Sequence, residues 1–215
     1  SLHAIEVLNE PTARNQSYIG SMDNYYKFYK PAYQAVNEVS AELRSESPLL
    51  VGGPTGFYQQ KHVNVLIREF ARDEDPAKRL DFLSFHWYDN NADLVAGMED
   101  EVVGELKKRS LPADLPIFVT EFGYHHKIAG EGESAQDKKE RLISASNPVR
   151  LTGNQRHAAF VTECLYQARH APQLRLFPWV TYHSEEQKHF VQFDTRMRMT
   201  PFGAAMKMLT LHKSR

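Results

Sequence analysis

The sequence predicts an α/β fold on a parallel sheet, for three reasons. Apolar runs of strand length alternate with stretches of helical periodicity along the chain. The runs, such as Leu49-Leu50-Val51 and Ile117-Phe118-Val119, are continuous rather than alternating, as strands covered on both faces are. With 215 residues, 41% hydrophobic and 25% charged, the chain has the composition of a globular domain with one sizeable core. Strands joined through helices pair in parallel by right-handed crossovers.

In order, the first strand is Ala4-Ile5-Glu6-Val7-Leu8, ending in Asn9-Glu10-Pro11, where proline lacks the N–H to continue pairing. After a polar loop, a helix is expected from Ser21 to about Ser45, with Ser21 or Asp23 as N-cap and a kink or split at Pro31. Its aromatics Tyr25, Tyr26, Phe28, Tyr29 and Tyr33 recur near helical spacing and read as a core stripe. Pro48 to Pro54 gives a second strand broken by Gly52-Gly53. A helix from about Gln60 to Asp73 follows, with Val63, Leu66, Ile67 and Phe70 on one face. The third strand is Leu80 to Tyr88, and its helix, about Asn91 to Ser110, carries Leu94, Met98, Val102 and Leu106. The fourth strand, Leu115 onward, delivers Glu121. The polar segment Tyr124 to Gly153 exceeds usual loop lengths and suggests a short helix around Ala135 to Ser144 or a lid. A helix from about Asn154 to His170, a fifth strand Leu174 to Tyr182, a short strand His189 to Phe193 and a helix Pro201 to His212 complete the chain.

Charge and composition narrow the function. A net charge of -1 with a pI of about 6.8, and no block of Lys and Arg, favours neither nucleic acid nor an anionic membrane as partner. No apolar stretch reaches the ~18 to 20 residues of a membrane span, and no signal segment opens the chain. A start at Ser1, leading straight into a strand, is expected of a processed protein or of a piece of a longer one. Cys164 reads as a small buried helix residue, with no disulfide to form.

In open parallel sheets ligands bind at the carboxyl ends of the strands, where Glu10, His86, Glu121 and Trp179 all fall. Two glutamates at such a rim suggest glycoside hydrolysis. Retention needs two carboxyl groups ~5 to 5.5 Å apart, one a proton donor and one ionised to attack the anomeric carbon. On a flat sheet, first and fourth strands would lie ~14 Å apart at ~4.8 Å per strand. The pair therefore requires a curved barrel wall, although five strands are too few to close an eight-stranded barrel.

Asn9-Glu10-Pro11, Asp81-Phe82-Leu83-Ser84-Phe85-His86-Trp87-Tyr88, Thr120-Glu121-Phe122-Gly123 and the last-strand Trp179 together resemble the clan A glycoside hydrolases. Within that clan the chain is most similar to the group containing β-xylosidases and α-L-iduronidases, with cellulase and mannanase families close behind. The resemblance spans nearly the whole chain and corresponds to the fourth to eighth strands of the family barrel. It implies a single domain, residues 1–215, formed of parallel βα repeats: the C-terminal portion of a TIM (β/α)8 barrel. It further implies Glu10 as general acid and later base, Glu121 as nucleophile, and Asn9 as partner of the sugar 2-hydroxyl. His86 and Tyr88 would orient Glu121 or lower its pKa, and Trp179 would form the apolar floor under the sugar. The implied substrate is an oligo- or polysaccharide, with no cofactor. A missing N-terminal half or partner chain would complete the barrel, and an extracellular or periplasmic location is favoured by the resemblance alone.

Blander readings compete. Either glutamate could cap a helix or pair with Arg, His86 and Tyr88 could simply pack, and Trp179 could belong to the core. His125, His126, His183 and His189 repeat no ligand spacing, so no metal is expected. Gly52-Gly53 lacks the context of a phosphate loop and reads as close backbone packing. At the level of function, a carbohydrate-binding or inactive glycosidase-like protein is one alternative. An open flavodoxin-like sheet is another.

Overall fold

Strand and helix alternate as the apolar pattern requires. A computed structural model describes residues 3–14, 17–43, 48–58, 61–124, 151–181, 191–194 and 196–213. The strands are β1 (Ala4–Glu6), β2 (Leu50–Phe57), β3 (Phe82–Asp89), β4 (Ile117–Tyr124) and β5 (Leu174–Pro178). The helices are α1 (Tyr26–Leu43), α2 (His62–Arg72), α3 (Val95–Lys108), α4 (Leu151–Gln167) and α5 (Pro201–Lys213). The five strands form one parallel sheet in sequence order, with Ile5 opposite Val51 and Gly53 opposite Leu83. No helix among the described residues is long and apolar enough to cross a membrane. The expected helix or lid at 135–144 lies outside the described residues, as do 189 and 190 of the expected short strand, and its described remainder, 191–193, forms no strand. Phe193 makes an isolated antiparallel bridge to Met199.

The residues divide into two compact units. The first comprises Ser1–Trp87, Ala96–Thr120 and Ala171–Phe177; the second comprises Tyr88–Val95, Glu121–His170 and Pro178–Arg215.

In the first unit, α1 and α2 cover the sheet. Ser21 caps the 3-10 turn before α1, its side chain accepting from the Asp23 N–H at 3.3 Å. Of the kink or split expected at Pro31, the split does not occur: the helix runs on to Leu43. One missing hydrogen bond is outweighed by tertiary burial of the aromatic stripe: Tyr25, Tyr29 and Tyr33 are fully buried. Phe28, on another face, is exposed. In α2, Val63, Leu66, Ile67 and Phe70 are buried, as their spacing predicts. In α3 the stripe is Val95, Met98, Val102 and Leu106; Leu94 instead lies in a 3-10 turn capped by Asn91 and faces solvent. Complete burial of an apolar side chain such as Phe82 or Phe85 contributes about 1.5 to 3 kcal/mol each.

The Gly52-Gly53 pair is close packing. A Cβ on Gly52 would collide with the Phe82 carbonyl oxygen, and one on Gly53 would meet the Tyr25 hydroxyl. That hydroxyl donates to the Val7 carbonyl at 2.7 Å. Gly56 likewise admits the ring of His62, against which a Cβ would collide.

A charged network closes the far end of α2. Asp73, almost fully buried, accepts from Tyr26 at 2.8 Å, Tyr33 at 2.7 Å and Lys30 at 2.7 Å. Burial alone would raise its carboxyl, but Lys30, Tyr33, the Asp75 N–H and Tyr26 together hold it well below the usual carboxylate range. At the other end, burial lowers the His62 imidazole from 6.5 to about 4, and its Nδ1 has no hydrogen-bond partner.

In the second unit, α4 and α5 pack on each other. Cys164 is fully buried in α4, and burial pushes its thiol up. Asn154 ties the two helices, donating to the Val191 carbonyl at 3.1 Å and accepting from the Phe202 N–H at 2.8 Å.

His62 and Asp73 contribute to the acid stability. Both have lowered folded pKa values, so the unfolded state takes up protons first and stability falls with pH. His62 contributes between 6.5 and about 4, and Asp73 contributes below its unfolded value of ~3.9. Urea melts across pH should show His62→Gln flattening the upper window and Asp73→Asn the lower one. At pH 7, Asp73→Asn should cost about 2 to 3 kcal/mol, as loss of a hydrogen-bonded buried charge does.

Candidate active site

In the first unit the chain leaves β1 after Glu6, two residues sooner than the apolar run suggests, and still follows β2. The Val7 N–H donates to the Gly52 carbonyl at 3.1 Å and the Glu10 N–H to the Thr55 carbonyl at 3.1 Å. Glu10 thus stands on a turn beyond the strand rather than on its last residue. Leu8 and Glu10 both have left-handed backbones, with φ of 67° and 42°. Asn9 between them is tied to Ser17, whose hydroxyl accepts its N–H at 3.4 Å. Asn9 is half-buried.

The Glu10 carboxyl reaches β3. His86 Nδ1 lies 3.0 Å from Oε1 of Glu10; the histidine is buried and the glutamate half-buried. An ionised Glu10 accepts from Nδ1–H. A protonated Glu10 can donate its own proton to a bare Nδ1, so this pair is compatible with either state of an acid/base group. The sequence assigns His86 to Glu121; in the structure its Nδ1 meets Glu10.

A second contact in this unit measures the sheet's curvature. The Thr120 hydroxyl donates to Oε1 of Glu6 at 2.9 Å, joining side chains of β4 and β1 across two intervening strands. On a flat sheet those strands would be ~14 Å apart. The curvature that the paired-glutamate hypothesis requires is therefore present in the sheet itself.

In the second unit Glu121 lies within β4, which continues to Tyr124, rather than at the strand end that its sequence suggests. The Tyr88 hydroxyl donates to Oε2 of Glu121 at 3.0 Å. Trp179, half-buried just past β5, donates its backbone N–H to the Phe122 carbonyl at 3.0 Å. Its own carbonyl faces Nε2 of His157 at 3.1 Å, while Nδ1 of His157 accepts the Tyr124 N–H at 3.1 Å. With Nδ1 accepting, the ring proton must be on Nε2. One fully buried imidazole therefore spans the backbone beyond Glu121 and the backbone of Trp179.

The sequence missed Thr55 and His157, because neither sits in a motif or on an unusual face. The adjacent Gly52-Gly53-Pro54 was the only available signal that backbones approach closely at β2. His125, His126, His183 and His189 lie outside the described residues.

The family model described as "Glycosyl hydrolases family 39" matches residues 2–127, a span that holds Asn9, Glu10, His86, Tyr88 and Glu121. A beta-xylosidase of Caldicellulosiruptor saccharolyticus is 29% identical over 128 residues, 54% of this chain and 24% of that protein. The chain thus spans about a quarter of the length of that curated relative. A glucosidase from Croceicoccus marinus superposes with a TM-score of 0.57 at 17% identity, covering 94% of this chain and 38% of that one. A GH128 (subgroup I) endo-beta-1,3-glucanase from Amycolatopsis mediterranei, in the complex with laminarihexaose, gives 0.56 at 16% identity over 93% and 69%. These likenesses show the fold: parallel βα repeats forming the C-terminal portion of a TIM (β/α)8 barrel.

His157→Leu should remove the imidazole that joins the part-buried Tyr124 N–H to the Trp179 carbonyl. We expect a loss of about 2 to 4 kcal/mol in a urea melt, with the Trp179 fluorescence changed in the folded state.

Proposed function

The chain belongs to glycosyl hydrolase family 39, and from that premise we propose that it carries both catalytic carboxylates of a retaining glycoside hydrolase. Glu10 is the acid/base and Glu121 the nucleophile. In the first step an Oε of Glu121 bonds to the anomeric carbon as the glycosidic bond breaks, and the proton of Glu10 passes to the leaving oxygen. In the second, ionised Glu10 takes a proton from water, whose oxygen bonds to the anomeric carbon as the Glu121 ester breaks.

The observation that carries this reading is the role of β3. His86 and Tyr88 stand two apart on it, a spacing that puts both side chains on one strand face. His86 meets Glu10, and Tyr88 meets Glu121. A single strand thus supplies a hydrogen-bond partner to each carboxylate. Retention requires a carboxyl separation of ~5 to 5.5 Å, which calls for a curved sheet such as the one that lets Glu6 and Thr120 meet. Asn9 is assigned to the sugar 2-hydroxyl, and Trp179 to the apolar face of the ring.

The substrate is an O-glycoside of an oligo- or polysaccharide. An aryl β-xyloside is the first to test, because the curated relative is a beta-xylosidase. The remaining strands of the barrel, from the same polypeptide or a partner, complete the cleft, so activity is measured on the protein with all of its barrel strands.

Glu121→Gln should lower kcat/KM by roughly 10⁴-fold or more, as loss of a covalent nucleophile does. Glu10→Gln should lose about 10²- to 10⁴-fold on glycosides whose leaving group needs a proton, and far less on 2,4-dinitrophenyl glycosides. Azide should rescue the latter variant as a glycosyl azide of retained configuration. Sugar binding by calorimetry with no turnover, unchanged in both variants, would leave a binding protein and end the catalytic reading.

A further inference from the structure

Three residues other than glycine have left-handed backbones around the first glutamate: Leu8, Glu10 and, on β2, Thr55 with φ of 50°. L-residues adopt that region reluctantly, and it persists where surrounding bonds over-determine it. Here all three are joined. The Thr55 hydroxyl lies 2.5 Å from the Leu8 carbonyl oxygen and 2.7 Å from that of Pro54, and its proton serves these acceptors. The Thr55 carbonyl accepts the Glu10 N–H at 3.1 Å. Thr55 is itself 1% exposed, so water does not compete for these bonds.

We propose that Thr55 is a positioning residue for Glu10, setting the direction in which the carboxyl leaves the backbone; this rests on Glu10 being the acid/base. Glu10 is held at both ends. Thr55 fixes its main chain from β2, and His86 receives its carboxyl on β3, 3.0 Å away. A glycine would take the left-handed conformation freely but has no carboxyl. The glutamate must therefore be kept there by its neighbours, and Thr55 bonds the chain on both sides of Asn9. If the Leu8 carbonyl loses its donor, the turn can relax toward extended backbone and swing the Glu10 carboxyl away from His86. The effect should fall on proton transfer and spare bond formation by Glu121.

The test compares Thr55→Val, which keeps the branched shape without the hydroxyl, with Thr55→Ser, which keeps the hydroxyl. Thr55→Gly, which tolerates the backbone conformation without a hydroxyl, serves if the valine variant does not fold. With the hydroxyl gone, kcat/KM on a phenyl glycoside should fall about tenfold or more, while the 2,4-dinitrophenyl glycoside should change less than about twofold. Serine should restore the phenyl rate. Independently of hydrolysis, the imidazole ¹⁵N shift of His86 should move in the valine or glycine variant and return in the serine variant. An unmoved His86 signal, or equal losses on both leaving groups, overturns the proposal. A wild-type protein that hydrolyses no glycoside instead defeats the assignment of Glu10 as acid/base, and the His86 signal alone then decides whether Thr55 positions that carboxyl.

Discussion

The hydroxyl of Tyr25 reaches the Val7 carbonyl only because Gly53 has no Cβ in its path. That bond, with the pairing of the Val7 N–H to Gly52 and of the Glu10 N–H to Thr55, fastens the end of a very short strand to its neighbour. β1 has only three residues, too few for its own ladder to fix a side chain several positions later. The helix α1, the glycine pair of β2 and the turn carrying Glu10 are therefore one mechanical unit. A side chain at position 53 would displace a helix and, through Val7, the turn that follows.

Within the first unit, the two ends of α2 show different chemistry. At its C-terminal end Asp73 is surrounded by donors and is fixed as a charge, a structural element with nothing left to offer a substrate. At its N-terminal end lie the carboxyl end of β2 and, one strand along, His86, whose imidazole can either give or take a proton with Glu10. In βα architectures stability is built at one end of the strands and function at the other. Asp73 belongs with stability, because Tyr26, Lys30 and Tyr33 already occupy its carboxylate oxygens.

Much of this was legible in the sequence. The order of strands and helices follows from continuous apolar runs and from stripes such as Val63, Leu66, Ile67 and Phe70, because burial leaves a periodic trace. The core role of Tyr25, Tyr29 and Tyr33, and the packing role of Gly52-Gly53, were readable for the same reason. Element limits were less so: β1 stops early, β4 runs past Glu121 and α1 continues through Pro31, since tertiary contacts decide where pairing ends. Thr55 and His157 were invisible. Each acts on main-chain groups far away in sequence, and a side chain bonded to backbone selects no partner residue that a pattern could reveal. The hydroxyl of Tyr88 bonds Glu121, whereas the Nδ1 of His86 meets Glu10, on the other side of the sheet order, and neighbouring strands on both sides of β3 leave that choice open to the sequence.

The hydrogen bond between Glu6 and Thr120 has a consequence for assembly. Bending energy in a barrel is commonly pictured as imposed by closure, with the last strand forcing the first into place. Here the arc is already bent tightly enough for side chains three strands apart to touch. That arc runs from β1 to β4 within the first unit. Strands that complete the cylinder would meet a template of fixed curvature, and their task would be to match its register rather than to bend it.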